Sequence, residues 1–423
     1  MKSRFALLLS LSAFAAQLTA AEKWIALFDG KSLDGWTQRG GKATYRIEDG
    51  AVVGTTAPNT PNTFLCTDRH YSDFILEYEF KVHPKMNSGV QIRSHSFSVP
   101  YELEHAGKKL KIAAGRVHGY QVEIDPSARA WTGGIYDEGR RGWLNDLKSK
   151  PDAGKAFKQG DWNRIRVEAR GPSIRTWVNG VAAADLSDDL TASGFIALQV
   201  HGVGKNEEPM EVRWRNIRLQ DLSREGADWL FDGKDLSAWQ TGDGKAVAAG
   251  WEVKDGTLHR GGKGGDIFSK KEYGDFELDL EWRIAEGGNS GIKYRVAQFG
   301  RSWLGPEYQV LDDDKHPDGK LREGRRVTGA LYDVFPVNGL KVVERPGEWN
   351  HTRIVARGSK VQHWLNGYKV LDYDTTSEDW KREIGLSKFA KNEGFGMNAK
   401  GRIMLQDHND EVWYRAITVR ELK

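Results

Sequence analysis

Residues 401–415 read Gly-Arg-Ile-Met-Leu-Gln-Asp-His-Asn-Asp-Glu-Val-Trp-Tyr-Arg, and residues 194–201 read Gly-Phe-Ile-Ala-Leu-Gln-Val-His. Successive side chains of a strand point to opposite faces. Ile403, Leu405 and Asp407 therefore share one face, with Arg402, Met404, Gln406 and His408 on the other. Upstream, Ile196, Leu198 and Val200 alternate with Gln199 and His201. A polar face carrying a glutamine and a histidine suits a binding groove better than a plain solvent face. The chain writes this strand twice, about two hundred residues apart.

The rest of the sequence repeats at the same spacing. Leu27-Phe28-Asp29-Gly30-Lys31 and Trp36 return as Leu230-Phe231-Asp232-Gly233-Lys234 and Trp239. Asn87-Ser88-Gly89 returns as Asn289-Ser290-Gly291, and Gly160-Asp161-Trp162-Asn163 as Gly347-Glu348-Trp349-Asn350. Trp177-Val178-Asn179-Gly180 returns as Trp364-Leu365-Asn366-Gly367. A period this long marks duplicated whole domains rather than a solenoid. Within each copy the hydrophobic period is two, as in Phe74, Leu76, Tyr78, Phe80 and Val82, or Phe276, Leu278, Leu280, Trp282 and Ile284. That pattern, with Asn-Gly turns between apolar runs, predicts an all-β chain of two antiparallel sandwiches. The expected division is a signal peptide over 1–21, a first sandwich over 22–223 and a second over 224–423. Two long insertions, His95–His118 in the first copy and Thr376–Lys400 in the second, are expected to form functional rims. Trp380–Ile384 is expected to be a short helix.

Composition narrows the function. A chain of 423 residues exceeds one ordinary core, and its net charge of +3 comes from scattered basic residues, which argues against a nucleic-acid surface. Cys66 is the only cysteine, so no internal disulfide and no cysteine-built metal site is possible. Lys2 and Arg4, an apolar run from Phe5 to Ala16 and small residues through Ala21 have the form of a secretory signal. Export to a bacterial periplasm or beyond follows as an expectation. No later apolar run reaches the roughly 18 residues of a spanning helix, and oligomeric state is not legible.

Strand parity assigns the polar face of each copy. In the second copy Lys293, Arg295, Glu307 and Gln309 are expected to join Gln406 and His408, with Asn289 alongside. In the first, Gln91, Arg93, Gln121, Glu123, Gln199 and His201 match them, with glutamine and glutamate exchanged. Tyr136 and Tyr332 follow tight glycine turns and are expected to wall the grooves. Such faces suit gripping sugar hydroxyls and moving a proton. Glu277-Leu278-Asp279-Leu280-Glu281 resembles the alternating carboxylate strand of the laminarinase-type glycoside hydrolases, which implies a conventional retaining pair instead. Strand rise, however, separates Glu277 and Glu281 by about 13 Å, where a retaining pair needs about 5–5.5 Å. Asp312-Asp313-Asp314 is a candidate for an oxygen-loving cation such as calcium. Gly261–Gly265 is expected to be a hairpin tip, because it lacks the Gly-Lys-Ser/Thr of a phosphate loop.

Together the repeated motifs, with Glu307-Tyr308-Gln309-Val310-Leu311-Asp312 and Leu405-Gln406-Asp407-His408, resemble the 3-keto-disaccharide hydrolase family, long filed as a domain of unknown function. The likeness covers nearly all the mature chain, and the second copy matches better. It implies two concanavalin A-like jelly rolls acting on an oxidised oligosaccharide or glycoside. A C3 ketone acidifies the C2 proton, so a base can remove it and expel the C1 substituent, after which water adds back. On this basis His408 or Glu307 is expected as base. Arg295, Lys293 or a bound divalent cation (calcium or a transition metal) is expected at the enolate oxygen, with Tyr332 as proton donor. A non-catalytic, lectin-like protein is the alternative.

Overall fold

The computed structural model describes residues 24–422, so the expected signal peptide lies outside the described residues. Each copy folds as an antiparallel β-sandwich. The first pairs a seven-stranded with an eight-stranded sheet and the second a six-stranded with an eight-stranded sheet, counted among the described residues. In the smaller sheet of the second copy, Asn289–Phe299 lies between Glu307–Leu311 and Gly401–Leu405. In the first copy, Ser88–His95 lies between His118–Ile124 and Phe195–Val200. The apolar faces close on the larger sheets, burying Trp214 in one core and Trp282 in the other.

Several repeated motifs turn out to be scaffold. Trp36 and Trp239 donate their indole N–H groups to the carbonyls of Leu27 and Leu230, at 2.9 and 2.7 Å. Asn179-Gly180 and Asn366-Gly367 make hairpins with positive φ at both residues. Asn179 and Asn366 also donate to Asn163 and Asn350, each at 2.8 Å, which links two motifs distant in sequence.

The first-copy insertion lines a cleft at the domain boundary through Ser96, Phe97, Ser98 and Gly115. It forms a hairpin, Tyr101–His105 with Lys108–Ile112, whose Leu103, Leu110 and Ile112 join the hydrophobic cluster of the second domain. Apolar side chains on a loop are driven to the nearest apolar surface, here the neighbouring domain. The interface also seats His351 between Asp279, at 2.8 Å, and Ser193 of the first domain, at 3.1 Å. Burial opposes the charge on His351, but Asp279 outweighs it and raises the imidazole above its ordinary range.

His363 behaves in the opposite way. Its Nδ1–H donates to the Gly329 carbonyl, Nε2 accepts from Tyr294, and burial pushes its pKa down to about 4. The folded state therefore resists protonating this ring. Its contribution to stability is complete above the unfolded value near 6.5 and is lost as pH falls towards 4. His363→Gln, which never charges, should cost less at pH 4.5 than at pH 7.5, the gap shrinking by about 2 kcal/mol. Paired melting curves at the two pH values check this, and an unchanged gap refutes it.

Candidate active site

The outer face of the smaller sheet in the second domain gathers most of the expected residues. Gly291 is opposite Gln309, and Lys293 is opposite Glu307 on one side and Met404 on the other. Glu307 is 4% exposed, yet its carboxylate lies 3.6 Å from the Lys293 ammonium and 3.3 Å from the Gln406 amide. Gln309 donates to Asn289 at 3.5 Å. The buried Oε1 atoms of Gln309 and Gln406 have no partner within the protein. An unsatisfied buried acceptor costs about 1–3 kcal/mol, so both oxygens are poised for an incoming donor. The Asn-Ser-Gly motif supplies the floor. Ser290 ties the Gln406 carbonyl at 2.9 Å, and a Cβ on Gly291 would come within 2.1 Å of Gln406 and 2.8 Å of Glu307.

Two groups come from loops. Asp266, directly after the glycine turn, has its carboxyl raised by burial, against the opposing pull of Lys293 and His408. The turn itself is held by Asp407, which accepts from Gly264 and Gly265 and pairs with Arg260 at 2.6 Å. Lys388, just beyond the helix Glu378–Leu386, places its ammonium 4.1 Å from the Tyr332 ring. Burial lowers its pKa, and Glu307 partly offsets this. No periodicity marks either residue. The available signals were a carboxylate closing a glycine run and a lysine in an insertion peculiar to one copy.

Other expectations need correction. Arg295 is not on the cleft face. It sits in a bulge at φ 46°, with Tyr294 in the core and Val296 on the outer face. Its guanidinium is consumed by the carbonyls of Gly274 and Gly358 and by Asp275, at 2.9, 2.7 and 3.1 Å. Arg93 repeats the arrangement with Ser72, Gly171 and Asp73. Both arginines tie the two sheets together. The Tyr332 hydroxyl is committed as a donor to Asp318 at 2.7 Å, and burial raises its pKa, so it forms a wall rather than a proton donor. His408 is exposed beyond the strand end, near Asp266.

Glu277 is matched by Arg353 and Arg420, at 2.9 and 2.7 Å, and Glu281 by Arg415, all on the larger sheet. Neutralised in this way, they do not form a glycosidase pair. The expected cation loop is also otherwise engaged. Asp312 accepts from Gly287, Asp314 and Lys315, and Asp313 from Thr328 and Lys341. Among the described residues no group of three or more His, Cys, Asp or Glu is placed to hold a metal ion.

The first domain rearranges the same positions. Gln121 accepts from Gln91 and Gln199, at 2.6 and 2.7 Å, and donates to Glu123 at 2.8 Å. Asn87 also donates to Glu123, at 2.6 Å, while burial raises the Glu123 carboxyl. Tyr136 meets Trp143 edge to face, and His201 is exposed.

Residues 23–220 and 226–420 each match the family described as 3-keto-alpha-glucoside-1,2-lyase-like domain. A curated relative from Bacteroides thetaiotaomicron, named 3-keto-disaccharide hydrolase, is 33% identical over 234 residues, 48% of this chain and 80% of the relative. A solved structure named "putative glycosyl hydrolase", from Parabacteroides distasonis, is 33% identical, with a TM-score of 0.44 over 48% of this chain and 96% of that one. A second of the same name and organism is 31% identical, with a TM-score of 0.37 over 46% and 99%.

Proposed function

The chain belongs to the 3-keto-alpha-glucoside-1,2-lyase-like family, and from that premise we propose that its second domain cleaves 3-keto-glycosides or 3-keto-disaccharides by elimination and hydration. The chain is a carbohydrate-active hydrolase. The finer reading is carried by one observation: a buried carboxylate, Glu307, faces Lys293 on a glycine floor, with Lys388 close by.

Glu307 takes the C2 proton of the keto sugar, and the electron pair moves to the C3 oxygen. Lys293 and Lys388 stabilise that enolate, the work first expected of Arg295. The enolate collapses to a C1–C2 double bond and the C1 oxygen departs. Asp266, whose carboxyl is held by burial above its ordinary value, is the group placed to protonate the leaving oxygen. Water then adds across C1–C2, and the sum is hydrolysis. Gln309 and Gln406 accept from sugar hydroxyls through their free oxygens. Export belongs to the same proposal and rests on residues 1–21.

The decisive assay offers a 3-keto-glucoside and its unoxidised parent. Turnover of the keto form alone supports elimination, and equal turnover of the parent refutes it. Asp266→Asn should slow alkyl 3-keto-glucosides about 10²-fold and leave 4-nitrophenyl 3-keto-glucoside nearly unaffected, because nitrophenolate leaves without a proton. Equal slowing of both removes Asp266 from the acid role.

A further inference from the structure

The polar face of the first domain is a separate cleft of about 370 Å³, lined by Gln121, Glu123, Tyr136, Glu138, Trp143 and Gln199 among others. Its hydrogen bonds run in one direction. Glu123 accepts from the Gln121 amide, which turns the Gln121 oxygen towards Gln91 and Gln199. Both then spend an N–H on it, and Gln199 Oε1 is left fully buried with no partner within the protein. The floor of the cleft thus holds an acceptor waiting for a hydroxyl.

Both arginines near this cleft are already paired. Arg116 is paired with Glu138, and Arg129 with Asp125 at 2.8 Å and Glu123 at 3.5 Å. Arg129 also stacks on Trp131 and Trp143, at 4.7 and 5.1 Å. The equivalent tyrosines show the contrast between domains. In the first, Tyr136 packs against the Trp143 ring at 5.3 Å, and in the second, Tyr332 lies 4.1 Å from the Lys388 ammonium. The equivalent tyrosine is thus backed by an indole in one cleft and by an ammonium in the other.

We propose that the first domain is a non-catalytic site for a neutral, unoxidised sugar residue, held by hydroxyl hydrogen bonds to Gln199 and the Gln121/Glu123 pair and by stacking on Trp143. An apolar wall beside a few fixed polar groups is the usual form of such a site. The cleft has no lysine among its lining residues, and Gln91 stands where the second domain has Lys293. The binding claim stands on the first domain alone.

The test is calorimetric titration of the full chain with trehalose, maltose, sucrose and cellobiose. At least one should bind. Trp143→Ala and Gln199→Met should each weaken that binding about tenfold or more, while Glu307→Gln leaves it unchanged. Trp143→Phe, which keeps a platform, should restore most of it and controls for misfolding. No binding of any of the four at about 10 mM overturns the proposal, as does binding lost in Glu307→Gln but kept in Trp143→Ala. The two readings fail separately. Keto-glucoside turnover without sugar binding removes this site, and Trp143-dependent binding without turnover removes the proposed reaction instead.

Discussion

Glu307→Gln should lower kcat/KM for a 3-keto-glucoside by about 10³-fold, within the range for loss of a general base, while the protein stays folded. Glutamine keeps the shape and can still accept the Gln406 hydrogen bond that now reaches the carboxylate at 3.3 Å. It is also what the first domain carries at this position, where Gln121 is hydrogen-bonded to Gln91, Gln199 and Glu123. The substitution therefore removes the charge and the proton acceptor but little of the packing. Lys293 loses a partner at 3.6 Å, though Asp266 still acts on it. A melting temperature within a few degrees of the parent should accompany the loss of rate. Turnover within about threefold of the parent would remove Glu307 from the base role and leave His408 as the candidate.

Arg295→Met should do the reverse. Arg295 is 4% exposed, and its guanidinium serves two backbone carbonyls and Asp275. Methionine fills similar space but strands those acceptors between the Gly274–Asp275 turn and the Gly358 turn. The Asp275 side chain is 40% exposed and keeps water, so the cost comes from the stranded hydrogen-bond acceptors, about 1–3 kcal/mol for each that is buried. Methionine also inherits a positive φ of 46° that gives it no benefit. The expected result is a melting temperature lower by many degrees, with kcat/KM close to the parent wherever the variant is folded. Were Arg295 the enolate clamp instead, the rate would collapse at unchanged stability. Denaturation and kinetics on one preparation separate the two.

The contrast between these residues shows what was legible. Lys293 and Arg295 share strand parity, and parity placed Lys293 correctly. The register shifts between Lys293 and Val296, however, and a bulge inserts one residue without a partner. Everything beyond it changes face, so Val296 reaches the outer surface and Arg295 leaves it. The first copy has the same positive φ at Arg93. Duplication therefore could not expose the error, because both copies carry the same bulge.

Read alone, the chain determined the duplication, the two antiparallel sandwiches and the face on which Glu307, Gln309, Gln406 and Lys293 meet. These follow from period-two patterning and a repeated set of motifs, which are local properties of the sequence. Tertiary structure alone decided the fate of Arg295, the commitment of Tyr332 to Asp318, the packing of the Tyr101–Ile112 hairpin on the neighbouring domain, and the arrival of Asp266 and Lys388. Each depends on where an irregular backbone carries a side chain, and loops and bulges have no period to read.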